Sequence, residues 1–405
     1  MRNEAERLVA LSLALTFPLY AVGALYVLGP VLGWVLLALV ARNWRDVKLH
    51  PLAWTWIAGM GLMELALVIA HINMELPITS MIKSSIGWAK GWALMALFVV
   101  AGVLLRTPGV LYRGACQVGV CALFLTPVLF FFGLAGLPET LFVSPLKVVG
   151  GSGPEFFEVR LYEFDPGFGI PRLRYFAPWA PAIGLVGNVL LLMAMMERDV
   201  RWRLAGCAGC FAMVLFSLSR LGWLVTLSVP ALLMAMRHVH RPALWLAAAP
   251  VVFGIGIVMP ALLETAGAAF DSLMSARADS TMVRNWLAGI ALQRWQAEAP
   301  IWGHGIVETG PHLVQFMPIG SHHSWLGLLF VKGVVGVVAL AVPMLFTTLF
   351  LFVRAIQSPV ARTAFGVMLV LSLYTFGENL EILAYLYWPG LLLVGCALSE
   401  SGDSQ

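Results

Sequence analysis

Arg172, Arg174, Arg220, Arg277, Arg284 and Arg294, with His304, His312, His322 and His323, are the side chains best suited to chemistry on an anion. A guanidinium presents a planar fork that matches phosphate oxygens and stays charged at any accessible pH. An imidazole titrates near neutrality and can take a proton from a hydroxyl. For any one of these residues the alternative is a place at the headgroup level, paired with lipid phosphate. Arg220 is harder to assign that way. It stands in SLSRLGW between two apolar runs with almost no loop, where a charge is costly unless it is paired or faces a wet cavity. Pairing with Glu64 or Glu378 is its structural alternative. Glu64 and His71 stand seven residues apart in one apolar run and so share a helix face, as a proton relay or as a satisfied structural pair. Glu378 and Glu381, in FGENLEIL, can orient Arg or His side chains or simply be solvated.

Other chemistry is missing. The chain has no P-loop, GxSxG, HExxH or DxD-like pair. His322 and His323 are neighbours, and on a helix neighbours point about 100° apart, too far to share a zinc ion. The five cysteines, Cys207 and Cys210 of a lone CxxC among them, all fall in apolar runs and read as buried small hydrophobes.

The elements that must position these residues are membrane helices. Of 405 residues, 60% are hydrophobic and 11% charged, against about 25% charged in a soluble domain. Mean hydropathy is +0.88. That excludes a soluble enzyme, a secreted domain, a disordered chain and a coiled coil. The apolar runs are long and continuous, which excludes a β-barrel. The expected fold is all-α: one polytopic integral membrane domain over 1–405, with about twelve spans. These are roughly 6–23, 26–42, 51–72, 89–106, 114–135, 177–196, 203–219, 221–237, 242–263, 324–354, 362–377 and 381–398. The first reads as an uncleaved transmembrane helix rather than a signal peptide. The tenth is overlong and punctuated by Gly333 and Gly336, as a half-helix followed by a full one would be.

With the N-terminus inside, 14 Lys and Arg fall on the cytoplasmic side and 11 outside, seven of the 11 in two long loops. Long loops translocate largely regardless of charge, so the comparison is 14 against 4 and both termini are cytoplasmic. The two long loops, 136–176 and 264–323, are then periplasmic. Loops that long usually have work to do. The second reads partly as a helix, with Met282, Trp286, Ile290, Gln293 and Ala297 at helical spacing and a stop at Pro300. There is no transporter-type repeat and no low-complexity segment.

The stretch SHHSWLGLLFVKGVVGVVAL, 321–340, resembles the signature of the O-antigen ligase and O-antigen polymerase superfamily (WaaL-like and Wzy types): a His, a small polar residue, about nine residues, then GxxG heading a long span. Upstream, Arg284-Asn-Trp through Pro300-Ile-Trp-Gly-His-Gly305 is similar to the family's Arg, amphipathic helix and Pro-x-x-Gly-x-Gly turn. Ser217-Leu-Ser-Arg220 is similar to its Ser-Arg motif. These anchors cover about 217–340; the N-terminal half agrees in layout only. Counting to Gly333 from the His322–His323 pair gives nine residues but makes His323 the polar partner. Counting from His323 gives Ser324 as partner but eight residues. The Asn-Pro-Asn-like element many members carry is replaced by AlaProTrpAlaProAla at 177–182.

The resemblance implies a GT-C-like fold and a metal-independent, cofactor-free glycosyltransferase in the bacterial inner membrane. It would move a glycan from undecaprenyl pyrophosphate to an acceptor hydroxyl at the periplasmic face. Arg220 and Arg284 would bind the donor pyrophosphate, and His322 or His323 would deprotonate the acceptor. Arg174, Arg277, Glu378 and Glu64 would support them. The acceptor is lipid A–core for a ligase, or a growing glycan for a polymerase of O-antigen, capsule or exopolysaccharide. Membrane lipids are the other partners, and nucleic acid is not expected. From a different class, a transporter of an anionic or lipid-linked solute would place its functional charges near the bilayer midplane in two matching halves.

Overall fold

The structure is a computed structural model that describes residues 2–105, 107–151, 153–164, 169–238, 241–242, 246, 250, 259, 278–314 and 316–400. The expected span 242–263 and the start of the second loop lie almost wholly outside the described residues, and Arg277 lies outside them.

The chain is mostly helical, at 75%. In order, the helices are α1 (Arg2–Ala14), α2 (Thr16–Ala21), α3 (Leu25–Arg42), α4 (Pro51–Asn73), α5 (Ile78–Lys90), α6 (Trp92–Ala101), α7 (Gly109–Leu134), α8 (Ala180–Ala194), α9 (Val200–Phe216) and α10 (Arg220–Arg237). Then follow α11 (Ala278–Glu298), α12 (Ser324–Arg354), α13 (Pro359–Tyr374) and α14 (Leu380–Glu400). Among the described residues, six helical stretches are long and apolar enough to cross a membrane: α3, α4, the run Ile78–Leu104, α7, α12 and α14. α8 and α13 are shorter apolar helices.

Local sequence explains the helix ends. Asp199 caps α9 by accepting from the Arg201 and Trp202 amides, and Ser358 caps α13 by accepting from Ala361, with Pro359 at the first helical position. α5 has no counterpart among the expected spans. Ile78, Ile82 and Ile86 are exposed along one side of it, a short amphipathic pattern before Gly91 turns the chain into α6.

α6 is buried along its whole length, and α14 is buried from Leu383 to Leu398 without a break. Helices apolar all round belong inside a bundle. The outer helices carry apolar side chains outward as well: Phe124 on α7 is 73% exposed and Leu227 on α10 is 72% exposed. Such faces suit hydrocarbon and not water. Cys121 on α7 is exposed too, unlike the buried Cys116, Cys210 and Cys396. α7 and α9 pack almost backbone to backbone, Gly206 and Gly209 lying against Cys116 and Gly119.

The first long loop is where the fold departs from all-helical. It holds two antiparallel strand pairs, β1 (Thr140–Val143) with β2 (Glu158–Arg160) and β3 (Tyr162–Phe164) with β4 (Pro171–Leu173). In the second pair Glu163 stands opposite Arg172.

α12 is two helices joined at Gly333, whose φ of 62° and ψ of −162° are not helical. In an unbroken helix the amides of Val334 and Val335 would donate to the carbonyls of Phe330 and Val331. Here they donate to Pro300 (3.0 Å) and Ile301 (3.2 Å) instead. The freed carbonyls of Phe330 and Val331 accept from the His304 and Gly305 amides, both at 2.9 Å. Segment 300–305 is thereby spliced into the helix, and these four backbone groups are all satisfied. Gly303, at φ 70°, passes so close that a Cβ there would run into the Val331–Gly333 backbone.

A Cβ on Gly333 would meet the Ile301 carbonyl in a backbone conformation other residues avoid. Gly333→Ala should therefore lower stability by about 2–4 kcal/mol. Gly289→Ala, in the interior of α11 with open space around it, should be neutral or stabilising by about 0.5–1 kcal/mol. Thermal unfolding of the two purified variants in one detergent checks the contrast; equal midpoints would refute it.

Candidate active site

A cavity of about 430 Å³ lies where α10, α12 and α14 begin and α13 ends. It is lined by Arg172, Arg220, Arg284, His322, His323 and Glu378, with Tyr374, Ser219 and apolar neighbours. These charged and imidazole residues come from β4, α10, α11, the 320–323 turn and the α13–α14 turn.

Arg220 is the first residue of α10. The Ser219 hydroxyl caps that helix by accepting from the Gly222 amide at 3.2 Å. Before it, the Ser217 hydroxyl donates to Val214 O (2.7 Å) and accepts from the Ser219 amide (3.1 Å). Leu218 turns the chain with a φ of 50°, in the left-handed region. The SLSR sequence is thus a tight turn from α9 into α10 that aims one guanidinium at the cavity. Buried Nη2 of Arg220 has no partner within the described protein.

Arg284 is carried by α11. Val283, Leu287 and Ala291 are its buried residues, while Met282 and Trp286 are about half exposed, at 51% and 49%. The inward stripe therefore runs through Val283, Leu287 and Ala291. Val283 and Leu287 pack on Val314; Ala291 packs with Ile319 and Phe330. A polar clasp fixes the far end of α11. Arg294 pairs with Glu298 at 2.8 Å and with Glu308, and Glu298 also meets His304 Nε2 at 2.8 Å. His304 Nδ1 lies 2.9 Å from Phe330 O, and its ring stacks on Phe330 with centroids 4.2 Å apart. Hydrogen bonds from Arg294 and His304 hold the Glu298 carboxyl down at about 2. Arg294, His304 and His312 do not line the cavity; the first two fasten the helix that carries Arg284.

The two adjacent histidines are held differently. His323 is the N-cap of α12, its Nδ1 accepting from the Leu326 amide at 3.4 Å, so a neutral ring carries its proton on Nε2. His322 is held down at about 4 by burial and, second, by the Arg284 charge. Its imidazole is therefore neutral at physiological pH.

Glu378 is 3% exposed. The Trp179 indole donates to its Oε2 at 2.9 Å, and its backbone carbonyl accepts from the Ser324 hydroxyl at 2.7 Å. Burial pushes its carboxyl up to about 7, against the opposing pull of the Trp179 bond and the Arg284 and Arg172 charges.

Arg172 is the cavity residue that sequence reasoning leaves without a role. Its Nε donates to Ser217 O at 3.1 Å and its Nη1 lies 3.4 Å from Glu163, so it ties β4 to the SLSR turn. The strand pairing that places it carries no signal in a loop read as irregular. Arg174, expected beside the site, is instead buried at 2% exposure outside the cavity lining, 3.9 Å from Glu163. Glu64 is also absent from the lining. Its charge and that of Glu381 act on Lys332, a buried cation on α12 whose Nζ donates to Met63 O at 3.3 Å. His71 Nδ1 faces Leu67 O one turn back on α4, at 2.9 Å.

Among the described residues, no three His, Cys, Asp or Glu converge as a metal site. No protein-family model matches the chain, and no curated protein matches it.

The Glu378 carboxyl binds its proton more tightly in the folded protein than in an unfolded chain, so stability at this site falls as pH rises from about 4.5 to about 7. Glu378→Gln should flatten that part of the stability–pH curve. Difference infrared spectra should show a carboxylic-acid band that fades through about pH 7 in wild type and is missing in the variant. A band titrating near 4.5 would contradict the burial argument.

Proposed function

We propose that this chain is an O-antigen ligase-type glycosyltransferase of the bacterial inner membrane. It transfers a glycan from undecaprenyl pyrophosphate to a hydroxyl of lipid A–core at the periplasmic face, without a metal or organic cofactor. The observation that carries the reading is the meeting of Arg220, Arg284 and His322 in one cavity, from segments far apart in sequence. In this reading α1–α2, α9 and α10 are also spans, and the apolar sequence 242–263, which lies almost wholly outside the described residues, would be the twelfth. The helix ends remote from the cavity carry Arg237, Arg354 and Arg362, and nearby chain carries Arg201 and Arg203. Basic residues there make that end cytoplasmic and the cavity periplasmic.

Arg220 and Arg284 hold the donor pyrophosphate through their forks. The acceptor hydroxyl gives its proton to His322 as its oxygen bonds to the anomeric carbon. The bond from that carbon to the phosphate oxygen breaks, and its electron pair leaves on undecaprenyl pyrophosphate. Negative charge grows on the leaving group, and fixed cations aimed at it lower the barrier. His322 suits the base better than His323, whose Nδ1 is committed to capping α12. Donor binding strengthens His322 as a base: burial is the larger cause that holds the imidazole down, and pyrophosphate beside Arg284 offsets the second, the Arg284 charge.

Reconstitution of the purified protein with an undecaprenyl-pyrophosphate glycan and rough lipopolysaccharide tests this on a gel. Glycan should appear on the lipopolysaccharide, unaffected by EDTA. Arg220→Ala and Arg284→Ala should each cost about 10²-fold or more, and Arg→Lys should also impair, because the fork is lost. His322→Ala should fall about 10²–10⁴-fold, well below His323→Ala. Lengthened glycan without modified lipopolysaccharide would make the protein a polymerase. No glycan transfer of any kind would reject the enzyme and return the transporter reading.

A further inference from the structure

A carboxylate is out of place in a cavity built for pyrophosphate. Arg172, Arg220 and Arg284 attract the donor, and Glu378 alone among the described lining residues would, in its ionised form, repel it. The protein nevertheless secures this residue, by one bond to its carboxylate and by a set that fixes its backbone. The indole of Trp179, from the Ala177–Ala182 segment, donates to Oε2. The Ser324 hydroxyl holds the Glu378 carbonyl and accepts from the Leu380 amide at 3.0 Å, while the Ser324 amide donates to Thr375 O at 2.9 Å. Glu378 is therefore pinned to α8, α12 and the start of α14. Among the described residues no hydrogen bond reaches Oε1.

We infer that Glu378 is the acceptor-binding residue of the transferase proposed above, its Oε1 accepting hydrogen bonds from hydroxyls of the acceptor sugar. The inference rests on that functional reading and adds a division of the cavity to it. Guanidiniums define a donor side for phosphate oxygens. The single carboxylate defines an acceptor side, where sugar hydroxyls are donors and a phosphate is disfavoured. Held there, the acceptor presents one hydroxyl to His322. A fixed carboxylate pays little ordering entropy when the sugar arrives, and a charge-assisted hydrogen bond in a dry pocket is stronger than a neutral one. Trp179 is then a positioning residue, acting through Glu378.

The test is steady-state transfer by the purified full-length protein, with donor and rough lipopolysaccharide varied separately. Glu378→Gln should raise the acceptor KM about tenfold or more, the worth of one charge-assisted hydrogen bond, and leave the donor KM within about twofold. Glu378→Asp should recover part of the loss. Trp179→Phe, which keeps the ring and removes the N–H, should move the acceptor KM in the same direction by less. Arg284→Ala should do the converse and raise the donor KM. An unchanged acceptor KM in Glu378→Gln, or a shift confined to the donor, overturns the assignment while the transferase stands. A wild-type protein that transfers no glycan overturns both.

Discussion

The splice at Gly333 is the constraint on which the site depends. Two amides and two carbonyls leave the helical ladder of α12, and segment 300–305 supplies a partner for each. In an apolar surrounding an unpaired backbone group costs several kcal/mol, so the break and the inserted segment are tolerable only together. The exchange joins the end of α11 to the middle of α12. One of these helices bears Arg284, and the other begins at the two histidines. The clasp of Arg294, Glu298, Glu308 and His304 makes the same connection in side chains, and His304 belongs to both, by its amide and by its ring. A long loop is thus converted into a fixed support.

Charge organises the rest. Three guanidiniums share a cavity of about 430 Å³ with one carboxylate. Burial works against the Arg172 charge, and Glu163 and Glu378 oppose that effect. Below the site, Lys332 lies in the span with Glu64 and Glu381 around it. Buried cations answered by carboxylates from other helices tie those helices together, because removing either partner strands a charge.

How much of this is legible in the sequence follows from the range of each signal. Arg220, Arg284, His322 and His323 stand out because each is a polar residue in an apolar setting at a recognisable spacing. The structure brings all four to the lining of one cavity. Gly333 is legible as a break because a 31-residue helix is too long for one span. Arg172 stands out as a candidate cation but its place is not legible, since that depends on the pairing of β4 with β3, a contact between short strands in a loop. The helix of α11 is legible from its spacing, but its inward face is not, because the large apolar Met282 and Trp286 point outward and the smaller Val283 and Ala291 point in. α5 escapes because its isoleucine stripe is too short to register as a span.

The turn that aims Arg220 has a consequence for how the protein can change. Leu218 is a branched side chain in a backbone conformation that glycine or asparagine adopts at far lower cost. Selection for thermal robustness alone would replace it, and the relaxed turn would hold the guanidinium less firmly. Robustness and a firmly aimed Arg220 are set against each other at this one position, and a laboratory evolution that rewards only heat resistance should find Leu218 early and yield a sturdier protein whose cavity guanidinium is held less firmly.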